Sequence, residues 1–184
     1  MKVEELVMTA ASTLLTPPVT SRDHVRGSAS AAITLVEYGG YACPHCKEAR
    51  FVVSQLQAAL GDRLRYIFRN LPMSTLHPNP HNAAEAAEAS GAQSKFWEMH
   101  DFLYDHQPAF SDKQLKGYAT QVGLDMERFN RDMTLHTYAF RVGQDILSAR
   151  QSGVSDTPAF FINNSRYLGL CEFEMLLFHM EEVT

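Results

Sequence analysis

Cys43 and Cys46 enclose Pro44 and His45 in a Cys-Pro-His-Cys run. Two thiols three residues apart lie one turn apart on the same face of a helix. There they can meet the Cα separation of about 4.4–6.8 Å that a disulfide requires. Pro44 suits a first helical position, because the amide it lacks would find no intrahelical partner there. Cys43 then stands at the helix N-terminus, where free N–H groups and the positive end of the macrodipole favour a thiolate. Thiol pKa values in such settings fall to roughly 3.5–7.5. His45 can add a hydrogen bond to the Cys43 sulfur, or oppose its protonation as imidazolium. Stabilising the thiolate stabilises the dithiol, which makes the disulfide a stronger oxidant. Cys43 is therefore the expected nucleophile and Cys46 the resolving thiol. A structural disulfide over so short a loop would gain little chain entropy. A zinc site would call on Cys171, His77 or His81 for two more ligands, and no second Cys-x-x-Cys run exists.

The elements that must hold this pair flank it directly. Ile33-Thr34-Leu35-Val36 reads as a buried strand that Gly39-Gly40 ends, and Lys47 to Leu60 reads as a helix capped by Gly61. The cysteines thus fall where a strand turns into a helix. Leu64 to Arg69 reads as a second strand, parallel to the first through the helical crossover. Glu37 has two readings on its apolar strand. It is either half-exposed, or buried behind Cys46 with a raised pKa and able to take the Cys46 proton.

The strand, Glu37 and Cys-Pro-His-Cys together resemble the DsbA-like branch of the thioredoxin superfamily. Glu37, six residues before Cys43, matches that family's buried acidic residue, and Ser155-Asp156-Thr157-Pro158 with Ala159-Phe160-Phe161-Ile162 matches its cis-proline stretch. The resemblance covers roughly residues 27–183. It implies a thioredoxin-like α/β fold with an inserted α-helical subdomain and a thiol–disulfide oxidoreductase. It also implies a cis Thr157–Pro158 bond beside Cys43, with the Thr157 backbone left to pair with an extended protein or peptide substrate. No cofactor or metal is implied, and an unidentified redox partner would recharge the pair. Two other classes share the fold: a glutathione-dependent kappa-type transferase or isomerase, and a non-catalytic binding module.

The helical insertion is expected at about residues 80–152. Ala83, Ala84, Ala86, Ala87 and Ala89 suit a closely packed helix, and Phe96 to Tyr104 carries the next apolar face. Ser111 with Gln114 forms a capping-box signature, Asp125 caps a short helix, and a longer one ends near Gly153. Asn163-Asn164 then fits a hairpin turn between Ala159–Ile162 and Ser165–Leu168, and Glu172 to Glu182 closes the chain as a helix. Cys171 reads as a free thiol outside the pair, or else as an intermolecular bridge.

With 184 residues, 45% of them hydrophobic, the chain suits one main domain over 27–184 behind an N-terminal helix and linker at 1–26; the helix is amphipathic over 2–15, and the linker-like composition runs from 16 on to 31, past the domain's start. That helix could cover the domain or a second subunit in a homodimer. A net charge of −5 gives no electrostatic case for nucleic acid or an anionic membrane. No run approaches the ~18 apolar residues of a membrane span. Glu4 and Glu5 stand where a signal peptide carries positive charge, so the expectation is cytoplasmic, with the periplasm as the alternative. The direction of electron flow is open, because cytosolic glutathione would hold a strongly oxidising couple reduced.

Overall fold

The computed structural model describes residues 14–73 and 79–183. Among these, five strands form one sheet: β1 (His24–Gly27), β2 (Ile33–Gly39), β3 (Leu64–Asn70), β4 (Ala159–Ile162) and β5 (Ser165–Tyr167). Their order is β1-β3-β2-β4-β5, with β2 and β3 parallel and the other pairs antiparallel. β2 is therefore central and buried along its whole length. Strand periodicity sorts its side chains. Ile33 and Leu35 enter a core with Cys46, Ala49, Val53 and Leu56, whereas Val36 and Tyr38 face Leu15, Ala149 and Phe161 on the other side.

The first helix, α1 (Pro44–Leu60), fills the crossover between β2 and β3. It buries Cys46, Ala49, Val53, Leu56 and Leu60, a stripe at three- and four-residue spacing. Then come α2 (Pro80–Gly91), α3 (Phe96–Asp105), α4 (Asp112–Val122), α5 (Met126–Thr134) and α6 (Ala139–Gln151), with α7 (Phe173–Glu182) last. The five helices α2–α6 are the expected insertion. The five alanines of α2 are all buried, and the Ser111–Gln114 capping box and the Asp125 cap both form. Asn163 and Asn164 both adopt positive φ (46° and 75°), as a tight hairpin turn demands.

The stretch expected as a linker over 16–31 is instead partly sheet. β1 pairs antiparallel with β3, so His24 to Gly27 lies in register with Phe68 to Arg65. Ahead of it, Arg69 donates to the carbonyls of Pro17 and Pro18 and to both carboxylate oxygens of Asp23. Both side chains of the Asp23–Arg69 pair are about 4% exposed or less. The reason is polar rather than apolar: an arginine buried on β3 draws the preceding chain over itself to satisfy its donors. The helix expected over 2–15 lies outside the described residues except for its last two. Of those, Leu14 bridges to Ser165 and Leu15 is buried. His77 also lies outside the described residues.

Candidate active site

Cys43 is the N-cap of α1, with extended backbone (φ −84°, ψ 119°), and Pro44 occupies the first helical position. Gly40 allows the turn to close, since a Cβ there would lie 2.8 Å from the Leu71 carbonyl oxygen. The Cys43 amide donates back to Gly40 O at 3.0 Å. Cys43 is half-buried and Cys46 fully buried, one turn into the helix; both are free thiols, as is Cys171.

The two sulfurs are electrostatically opposite. Cys43 is lowered to about 5, first by a hydrogen bond from the Cys46 thiol, then by the Thr157 side chain and the Cys46 and His45 backbone N–H groups, against the cost of burial. Cys46 is driven strongly upward by burial, by that same sulfur–sulfur hydrogen bond and by Glu37. His45 therefore acts differently from the expected side-chain donor. Its imidazole is 78% exposed and points to Glu48 (Nδ1–Oε2 3.6 Å), while its backbone N–H supports Cys43.

Glu37 is buried, on the α1 face of β2, its Oε2 accepting a 2.6 Å hydrogen bond from the Tyr66 hydroxyl. The half-exposed reading is thereby set aside. Burial raises its pKa to about 8, moderated by the Tyr66 bond and increased by the Cys43 charge.

The Thr157–Pro158 bond is cis, and the loop between α6 and β4 brings Thr157 against the pair: Cys43 Sγ donates to Thr157 O at 3.4 Å. The Thr157 amide is also engaged, donating to Asp156 Oδ1 at 2.8 Å. The Thr157 carbonyl has its Cys43 partner only while that thiol keeps its proton; as a thiolate or in a disulfide the sulfur cannot donate, which leaves the carbonyl open to a substrate strand.

Tyr66, Gln107 and Asp156 join the site without having been expected in it. Tyr66 had a signal, since β3 alternation places it on the face of Leu64 and Phe68 that meets α1. Gln107 and Asp156 sit in turns, where no periodicity marks orientation. Cys171 stands apart as a half-buried thiol, raised to about 11 by burial and by the charges of Glu37 and Glu48. Among the described residues no cluster of His, Cys, Asp and Glu could hold a metal ion, and no helix is long and apolar enough to cross a membrane.

Fold and site together are DsbA-like: a thioredoxin fold with two thiols in the first turn of α1 and a cis-proline bond beside them. The chain belongs to the thioredoxin family: a family model described as Thioredoxin matches residues 19–177. It is similar to BdbD of Bacillus subtilis, with a TM-score of 0.80 at 21% identity over 93% of this chain and 97% of that one. The thiol-disulfide exchange protein alpha-DsbA2 of Wolbachia pipientis gives 0.73 at 25% identity, over 88% and 87% of the two chains. A curated relative, Na(+)/H(+) antiporter NhaA 1 of Salinispora arenicola, is 42% identical over 89% of this chain. The chain spans about a quarter of the length of the curated relatives it matches, 25% in that case. A periplasmic thioredoxin-like protein of Salmonella enterica serovar Typhimurium shares the fold at a TM-score of 0.69 and 20% identity, over 87% and 88% of the two chains. These likenesses give the cytoplasmic expectation no support.

Proposed function

We propose that the protein is a protein thiol–disulfide oxidoreductase whose Cys43–Cys46 pair works as an oxidant of substrate dithiols in an oxidising compartment. One observation carries this reading: the exposed-side sulfur is the strongly acidic one, and its partner is buried and strongly basic. In the forward direction a substrate thiolate attacks Cys43 Sγ of the disulfide. The S–S bond breaks, its electron pair leaves on Cys46, and Glu37, protonated at neutral pH, supplies the proton that this poor leaving group takes up. The substrate's second thiolate then attacks its own sulfur in the mixed disulfide and expels Cys43 as a stable thiolate. Substrate is oxidised by two electrons and the protein reduced by two. Thr157 and the neighbouring Pro158 form the edge along which the substrate backbone lies.

The test is oxidation of a dithiol peptide by the disulfide form, with the Cys43–Cys46 equilibrium measured against glutathione. Rapid stoichiometric oxidation is expected. A protein that neither oxidises the peptide nor reduces insulin is a binding module, and the reading fails.

A second reading concerns the partner, and the 42% identity to a portion of an antiporter favours it. The redox domain would act beside a Na(+)/H(+) antiporter, in the same polypeptide or in a complex. A Cys46→Ser variant, which holds mixed disulfides on Cys43, should then trap the antiporter. A trap that yields only unrelated thiol proteins removes this reading.

A further inference from the structure

The turn that carries the nucleophile is held from outside as well as by its own helix. Gln107, just beyond α3 in the helical insertion, directs its side-chain amide at this turn. Its Nε2 donates to Tyr41 O at 2.5 Å and to Cys43 O at 2.8 Å. A primary amide has two N–H groups, and here each meets a separate carbonyl. Among the described residues the Cys43 carbonyl has one other donor, the Lys47 amide at 3.3 Å, in the first turn of α1. The same insertion grips the turn a second time, where the buried Tyr41 hydroxyl meets His100 Nδ1 at 3.1 Å.

These contacts bear on the sulfur through the backbone. The Tyr41–Ala42 and Cys43–Pro44 peptide units lie outside the sheet, and the second has no N–H, so their orientation rests on what their carbonyls meet. The orientation at Cys43 decides how Sγ lies relative to the His45 and Cys46 amides that favour its anion. It also decides where the partial negative charges of two carbonyl oxygens lie relative to that anion.

We propose that Gln107 is a positioning residue of the exchange reaction: its amide fixes the Tyr41–Ala42 and Cys43–Pro44 peptide units and thereby the placement of the Cys43 sulfur against the first turn of α1. The inference rests on the redox reading above and deepens it. It makes the helical insertion part of the redox centre, since a side chain it supplies holds the backbone of the nucleophile.

The test uses Gln107→Met, which keeps length and neutrality but has no N–H, and Gln107→Ala, both in the full chain carrying Cys171→Ser. The rate of iodoacetamide reaction at Cys43 is followed against pH in the reduced protein. Both variants should titrate higher than the parent by about half a unit to one unit, or an about three- to tenfold lower thiolate-to-thiol ratio at a given pH. Their equilibrium with glutathione should move by a similar factor toward a weaker oxidant. A purely structural Gln107 would lower the thermal midpoint and leave the Cys43 titration on the parent curve, and that result overturns the proposal. A shift in Gln107→Ala alone, with Gln107→Met unchanged, overturns it too, because donors would then be dispensable. If Gln107→Met does not fold, Gln107→Ala decides by the same two curves. An ordinary thiol in the parent would instead overturn the redox reading itself, so the two failures are distinct.

Discussion

The Tyr66 hydroxyl donates to Glu37 Oε2 at 2.6 Å, while Oε1 of the same carboxyl, equally buried, has no partner among the described residues. A carboxyl satisfied at one oxygen only is costly to ionise in an apolar setting, so it holds its proton at neutral pH. Glu37→Gln keeps the shape and the Tyr66 contact but carries no exchangeable acid. It should slow breakage of the Cys43–Cys46 disulfide by substrate thiol about a hundredfold, read by stopped-flow. Rates equal to wild type would remove Glu37 from the reaction.

The same carboxyl makes stability depend on pH. Its folded pKa of about 8 lies above the ordinary 4.5, so the folded state keeps a proton that the unfolded chain releases. The stability this gives is complete below about pH 4.5 and is lost as pH rises through 8. Cys43 acts oppositely in the reduced protein: its contribution is complete above about 9 and lost as pH falls through about 5. Between pH 5 and 8 the two slopes oppose one another. Reduced Glu37→Gln should therefore gain stability with pH more steeply than wild type in urea unfolding. Parallel curves would contradict the assignment.

Thiol chemistry should be selective. At pH 7 Cys43 is an anion, whereas Cys171, raised to about 11, is a thiol and Cys46 is a buried thiol. One equivalent of iodoacetamide at that pH should label Cys43 alone, as peptide mapping would show, and the rate should change little from pH 7 to 8. Cys171→Ser should leave this rate and migration on non-reducing gels as they are. A lost dimer band would instead mark an intermolecular bridge.

Two substitutions at His45 separate side chain from backbone. The imidazole is exposed and turned toward Glu48, but the N–H supports the Cys43 anion. His45→Ala should leave the Cys43 titration near wild type. His45→Pro, at a first-turn position that tolerates a missing N–H, should raise it. The reverse order of effects would restore the imidazole as the donor.

Asp23 and Arg69 offer a stability test remote from the sulfurs. Replacing Asp23 by Asn leaves a buried guanidinium without its counter-charge, at a cost of about 3–5 kcal/mol. Urea unfolding should show a lower midpoint with α1 and the Cys43 titration intact. A loss below about 1 kcal/mol would mean that water reaches Arg69.

How far the sequence could be read depended on the interaction involved. Apolar periodicity marked β2, α1, β3 and the five inserted helices, because burial repeats at the period of the element. The Cys-Pro-His-Cys run announced the sulfur at the head of α1 through local backbone logic alone. β1 went unread because its place depends on Arg69, a residue more than forty positions away that is ordinarily exposed. Gln107 went unread for the same reason, its partners lying across a turn with no repeat to signal them. For His45, residue type suggests what the side chain can do but says nothing of where it points, which here is toward Glu48.

The sheet order has a consequence for how the molecule comes into being. β2 lies between β3, made soon after it, and β4, which follows only once the whole helical block has been synthesised. Until then one flank of the central strand lacks its neighbour, and Cys43 lacks the carbonyl it meets 114 positions later. A nascent chain would thus display a reactive sulfur before its shelter exists, so newly made protein should be open to mispairing with other thiols until Thr157 and β4 have emerged.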